Sequence, residues 1–501
     1  MTVTHIDRLE PIPGTEILLE NATSDKILLI PEPTDNPDDP LNWSPTWKAI
    51  VIINQAIFVF VSILTPLAIA PLTPIFMQEF QKTLPQVNML FGAAAMALGY
   101  ANFVIVPFSN LFGRRPTIII CGLICVLANI WQALVTSYPS FLGARVISGL
   151  GAAANESIMP MVVSDASLIM MIFMFPETRY PRDNSNSLSD SNSSTTGKDT
   201  TNNDEPKTDS SVLNTVTTNE PTSEIKPTSS VHLTSDHIHA SRHTSHIVGR
   251  PSRAQFSLIP RLIPNNALKH TIIRDVFAPI QIFFYPIILW VVFAFGMSTN
   301  CLLALNLTQS QVFAAPPYLF TPAQVGFVNF AFVVGGIIGL CTAGPISDAV
   351  SIWLARRNGG VREAEMRLWT MIPYLVILLI GMVITAIGYQ DHYRWPVIVV
   401  VGYGFVGIEV VSIPAILISY AVDSYKHIPG QIMVAATIVK NTYGFGMIFY
   451  FNDWAVRSGF IPPVMTLMAL AVGICSIGTA VFLIWGKQFR MATKDSKLHY
   501  L

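Results

Sequence analysis

Charge is what this chain lacks most. Asp, Glu, Lys and Arg make up 12% of its 501 residues, about half of the roughly 25% that soluble domains carry. With 51% hydrophobic residues and a mean hydropathy of +0.48, a water-soluble fold of this length is excluded. Neither sign of charge dominates either. The formal net charge of -1 gives no basic surface of the kind that binds nucleic acid. Cysteine is scarce: Cys121, Cys125, Cys301, Cys341 and Cys475 all fall in apolar segments, without disulfide or zinc-ligand spacing. They are expected to be small membrane-core residues. No secretory leader is read at the start. Residues 1–43 are polar and proline-rich, so the first hydrophobic helix is expected to act as the insertion signal. No apolar segment carries a paired catalytic motif, and no cofactor or metal is expected.

What is present is a series of long apolar runs. A helix needs about 20 mostly apolar residues to cross the hydrocarbon core. Four such runs come early, at roughly 47–70, 88–108, 117–137 and 141–164, and six follow a polar block, at roughly 277–304, 321–343, 370–389, 396–421, 431–452 and 462–485. This predicts an all-α polytopic membrane protein with about ten full transmembrane helices. Glycine and alanine recur at helical spacing (Gly92 to Ala97, Gly149, Gly151, Gly335, Gly336, Gly339), which suits close helix contact in lipid. Arg114 and Arg115, then Arg356, Arg357, Arg362 and Arg367, then Lys487 and Arg490 lie in alternate connections or at the end. Placing them in the cytosol puts both termini inside.

The expected organisation is a cytosolic tail (1–44), an N-terminal bundle (45–175), a disordered cytosolic loop (176–275), a C-terminal bundle (276–486) and a cytosolic tail (487–501). The loop is rich in Ser, Thr, Asn and Asp and nearly free of aromatics, so it cannot offset its chain entropy by burial. Its His237, His239, His243 and His246 offer only a weak zinc-sensing reading. Gly402 to Gly407 spells GxGxxG, but apolar sequence continues to Ala421. A dinucleotide site would require a soluble helix there. Asn306-Leu-Thr308 is a glycosylation sequon that the span assignment places in an outward loop.

Several motifs resemble the major facilitator superfamily, in a fungal branch. Asn36-Pro-Asp-Asp-Pro-Leu-Asn-Trp43 is similar to that branch's N-terminal signature. Phe112-Gly-Arg-Arg-Pro116 and Gly344-Pro-Ile-Ser-Asp348 resemble the two pseudo-symmetric loop signatures. Arg145-Val-Ile-Ser-Gly149 matches the helix-four pattern, and Pro176-Glu-Thr-Arg-Tyr180 matches the close of helix six. The resemblance implies two six-helix bundles, hence helices one to four in the first bundle and seven to twelve in the second. Helix four ends near Asp165, yet the helix-six motif follows after only Ala166 to Phe175. Ten residues rise about 15 Å, half the hydrocarbon thickness. A fifth helix and most of a sixth are therefore expected to be absent, and with them the signature that distinguishes antiport.

The resemblance implies a transporter of a small organic solute working by alternating access, with protons as coupling ion. The branch includes permeases for polyamines and related cations, and drug or metabolite efflux is the neighbouring reading. A non-transporting receptor or a degenerate, mis-spliced remnant is the competing one. The lipid bilayer and the solute are the expected partners, the chain is expected to act as a monomer, and the plasma membrane, or else the vacuolar membrane, is its expected place.

Ionisable groups at bilayer depth are expensive and default to function. Those here are Arg145, Glu156 (beside Asn155), Glu409 and Lys440. Counted from their helix ends, Glu409 and Lys440 agree in depth within about 5 Å. A pair between them either staples two helices or gates a proton or cation site. Glu156 either titrates in a central cavity or bonds a neighbouring helix. Arg145 is read as a snorkelling or outer-cavity residue, or else as a substrate contact. In the loop signatures Gly113 allows a tight turn, while Arg114 and Arg115, and Asp348 with Arg356 and Arg357, are read as conformational locks or as topology determinants only. The first signature has Asn110 near the place of its usual acid.

Overall fold

The computed structural model describes residues 13–17, positions 44, 46, 50 and 53, and residues 69–157, 276–425 and 428–494. A short strand, β1 (Thr15–Ile17), comes first. The helices that follow are α1 (Ile69–Glu79), α2 (Leu84–Phe112), α3 (Arg114–Ala133) and α4 (Tyr138–Ser157). The second group is α5 (Pro286–Phe313), α6 (Pro322–Val328), α7 (Phe330–Arg357), strand β2 (Val361–Glu363), a 3₁₀ segment (Ala364–Thr370), α8 (Met371–Gln390), a π segment (Val397–Tyr403), α9 (Gly404–Ser424), α10 (Pro429–Ser458) and α11 (Ile461–Ala492). Among the described residues, eight helical stretches are long and apolar enough to cross a membrane. The multi-pass helical expectation is met.

Local chemistry explains where the helices start. Proline occupies the first turn of α2, α5, α6, α10 and α11, where a missing N–H costs nothing. Thr321 adds a capping box to α6: its hydroxyl accepts from Gln324 N (3.4 Å), while Gln324 Oε1 accepts from Thr321 N (2.8 Å). Between α2 and α3 the break is Gly113, whose φ of +95° is a conformation that side chains rarely adopt. The tight turn expected there is present.

Packing follows the small residues. Helix α4 lies against α2 and α3, α7 lies along α9, and α5 is held among α9, α10 and α11. Gly339 and Gly407 mark the α7–α9 seam. A methyl group on Gly339 would stand 2.6 Å from Ile408 O, and one on Gly407 would stand 2.6 Å from Phe332 O. The would-be dinucleotide motif is therefore helix packing: Gly402 faces Thr385 and Gly407 faces Phe332. Four of the five cysteines are buried, and Cys341 alone is exposed. Helix α10 crosses α2 and also touches α4, which joins the two groups of helices.

Several expectations are corrected. Helices α2, α7, α10 and α11 are longer than their apolar runs, so Arg356 and Arg357 lie in the last turn of α7 rather than in a loop. Asn306 lies within α5, buried, with its amide nitrogen donating to Leu302 O (3.3 Å). It cannot serve as an outward-loop glycosylation site, because that turn continues helical to Phe313. Arg490 bonds the carbonyl of Pro13, so residues near the two chain ends meet. The central loop, the remnant at 166–175 and most of the span at 47–70 lie outside the described residues.

Candidate functional site

Glu409 sits on α9 and is fully buried. Its Oε1 accepts a hydrogen bond from the hydroxyl of Ser298 on α5. Its other carboxyl oxygen, Oε2, has no hydrogen-bond partner among the described residues. The thiols of Cys301 and Cys475 lie within electrostatic range of it. The sequence reading missed Ser298, although Ser298-Thr299-Asn300 is a polar interruption of an otherwise apolar run. Hydroxyls and amides are common helix-bonding groups in membranes, so such a cluster alone points nowhere.

The expected pair between Glu409 and Lys440 is not formed. Helices α9 and α10 follow one another in the chain but touch little, because each packs against α5 far more. Lys440 is half-buried. Asn300 on α5 donates its amide to Lys440 O (3.1 Å) and to Gly296 O (2.7 Å), and Gly296 faces the Lys440 backbone. Similar depth along two successive helices does not make their side chains neighbours.

Arg145 is fully buried on α4 rather than snorkelling. Its Nε donates to Leu90 O (3.1 Å) and its Nη1 to Gln132 Oε1 (3.3 Å), so it ties α4 to α2 and α3. Asn155 and Glu156 belong to the last turn of α4, and their side chains lie outside the described residues, as does that of Arg114. Arg115 is buried at the start of α3.

At the arginine-rich face the second loop signature does form a charged network, with different arginines from those expected. Arg367 pairs with Asp348 (2.9 Å) and Asp423 (2.6 Å) and donates to Ser347 Oγ (3.2 Å). Arg362 pairs with Asp423 at 2.5 Å. Partial burial lowers the pKa of the Arg362 guanidinium from its ordinary value, and Asp423 opposes that shift. Arg356 and Arg357 continue α7 two turns beyond Asp348. Arg357 instead lies over the Trp353 ring, 3.9 Å from its centroid. The network joins the second half of α7, β2 with the 3₁₀ segment after it, and the end of α9.

A cavity of about 490 Å³ opens between α2, the short helical stretch and turn at 279–284, α5 and α10. Its walls are apolar, with Tyr100, Phe283, Phe293, Val439 and Tyr443 among them. The hydroxyls of Tyr100 and Thr442 meet across it at 3.2 Å. None of the candidate charged residues lines it, so the buried acid and the cavity are separate features.

Comparison with known proteins agrees with this architecture. The family model described as Major Facilitator Superfamily matches residues 55–167. Protein HOL1 of Saccharomyces cerevisiae is 24% identical, over 98% of this chain and 97% of its own length. The uncharacterized MFS-type transporter C1271.10c of Schizosaccharomyces pombe is 23% identical over 89% of this chain and 87% of its own. The MFS transporter eqxG of Fusarium heterosporum is 25% identical over 85% and 83%. Long apolar helices, a paired loop signature and relatives matched nearly end to end point the same way: the chain is similar to multi-pass membrane transporters of the major facilitator superfamily, a transporter rather than an enzyme.

Proposed function

We propose that this transporter moves a small organic solute by alternating access and couples that movement to protons through Glu409. The observation that supports the reading is the setting of the carboxyl group: fully buried, held by one serine hydroxyl, with its second oxygen lacking a partner among the described residues. An acid in that setting changes charge as the surrounding helices admit or exclude water, which ties proton gain and loss to the conformational step. Glu156 and Asn155 on α4, with Arg145 and Lys440, are the further candidates for the solute path. Two acids at bilayer depth favour a cationic solute such as a polyamine, with a drug or metabolite as the alternative. The Asp348–Arg367–Asp423–Arg362 network is the candidate gate on the cytosolic side. The chain is proposed to act as a monomer in the plasma membrane, with the vacuolar membrane as the alternative.

A second reading has its own support. The alignment with HOL1 runs over 574 positions against the 501 residues of this chain, so it carries gaps on this chain's side, and ten residues between Asp165 and the helix-six motif are too few for a crossing. The chain as written is then a non-transporting remnant, and activity resides in a form with that pair restored. Both forms reconstituted in liposomes, with an imposed pH gradient and radiolabelled spermidine, separate the readings. Gradient-driven accumulation by the chain as written supports transport in this form. Accumulation only after restoration supports the remnant. Accumulation that persists unchanged in Glu409→Gln of the active form overturns the role of Glu409.

A further inference from the structure

The first described residues are docked on the far end of the chain. Strand β1 pairs antiparallel with β2, in the register Thr15 with Glu363, Glu16 with Arg362 and Ile17 with Val361. Ala364 N adds a bond to Gly14 O at 3.2 Å. Arg490, fully buried near the end of α11, donates from Nη1 to Pro13 O and to Thr15 Oγ1 (3.1 Å). Its other face grips Glu365 through two bonds of 2.8 and 2.5 Å. One turn earlier on α11, Lys487 pairs with Glu363 at 2.8 Å.

Gly14 is what lets the strand approach so closely. Its φ is +76°, and a methyl group there would stand 3.0 Å from Asp423 O and 3.1 Å from Arg490 Nη1. The carbonyl approached is that of Asp423, whose carboxylate is the hub of the charged network, so the strand rests on the backbone that carries this hub as well as on β2. Five residues therefore touch the segment after α7, the end of α9 and the end of α11 together.

We propose that residues 13–17 form a releasable strap, which when docked holds the cytosolic ends of α7, α9 and α11 together and keeps that face of the C-terminal bundle closed. A two-stranded sheet of three residues is marginal by itself, so docking depends on the contacts around it. Release leaves no buried charge stranded, because Arg490 keeps both bonds to Glu365. The strap thus belongs to the low-stability elements that open without global unfolding. Through Asp423 its docking state is coupled to the Arg367 and Asp348 contacts.

The test uses the full chain in nanodiscs with Cys341→Ala, which removes the exposed thiol. Ile17→Cys and Val361→Cys, opposite one another and outside the charged network, lock the strap when oxidised. Ser351→Cys is the reporter: Ser351 is buried, its hydroxyl lacks a hydrogen-bond partner among the described residues, and it lies one turn beyond Ser347 on α7. Modification of this reporter thiol by a water-soluble maleimide is read by peptide mass spectrometry. Oxidation should slow it about fivefold relative to the same protein reduced, and Gly14→Val should speed it by a similar factor. Equal rates in all three states would make the strap an inert attachment and overturn the proposal. Failure of the disulfide to form while both thiols are reactive would show that the strand is not docked. If Gly14→Val does not fold, the oxidised and reduced forms of the locked protein decide the matter alone.

Discussion

Glu409 and Lys440 show what residue counting can and cannot deliver. Counting places both at bilayer depth, but α5 packs between their helices and the two side chains do not pair. Depth is a one-dimensional quantity that a helix rise of about 1.5 Å per residue supplies directly, whereas partnership depends on which faces meet. The same limit applied to the arginines: a charged cluster around the second loop signature was legible, yet the pairing of Arg367 and Arg362 with Asp423 depended on how β2 and the end of α9 meet. Single substitutions test both sites. Ser298→Ala removes the described hydrogen-bond partner of the Glu409 carboxyl, so thermal unfolding in detergent should show a loss of about 1–3 kcal/mol. Glu409→Gln should lower stability less, since an amide can still accept from Ser298. If Ser298→Ala is neutral, the hydroxyl is not holding the acid. Arg367→Gln should cost a similar 1–3 kcal/mol, because it strands part of the acceptor capacity of Asp423. Its exposed partner Asp348 should contribute little of that, so Asp348→Asn should be nearly neutral by the same measurement.

For the helices, hydropathy located the spans well and their ends poorly, for a physical reason. Apolarity reports the hydrocarbon thickness, about 20 residues' worth, while backbone hydrogen bonding continues into the interface. Helix α11 runs for 32 residues, and α7 carries its two arginines beyond the apolar stretch. This is also how Asn306, read as loop, came to lie in a buried turn of α5. The π segment before α9 had no sequence signal that the apolar run could reveal. Glycine spacing was more informative, because close approach in lipid has few other solutions. The α7–α9 seam makes that testable. Gly339→Val places branched carbons against Ile408 O and should reduce the yield of folded protein, with a cost above about 2 kcal/mol. Gly344, five residues along the same helix, has nothing within 4 Å of the place a methyl group would take. Gly344→Ala should be neutral or slightly stabilising, since alanine favours helix by up to about 1 kcal/mol over glycine. Equal effects at the two positions would mean that the seam does not set the packing.

For the whole molecule the governing quantity is parity. Helices cross alternately, so removing two leaves every later crossing in its original direction, whereas removing one would invert the C-terminal bundle. The arginine pattern and the meeting of Arg490 with Pro13 are both satisfied by an even change. The sequence reading could see that ten residues are too few for a crossing at 166–175, but a bundle's tolerance of the gap depends on packing that no hydropathy window contains. Asp391, exposed just past the end of α8, lies in a connection that the charge pattern assigns to the outside. In a Cys341→Ala background, Asp391→Cys should therefore react with a membrane-impermeant maleimide applied to intact cells, both in the chain as written and in a form with a helix pair restored between Asp165 and Ala166. Reaction in both would show that the two forms share one topology. Reaction only in the restored form means that the chain as written fails to insert its second bundle correctly. Reaction in neither, with reaction appearing after the cells are opened, would invert the orientation and move the charged network, with the strap that rests on it, to the outer face.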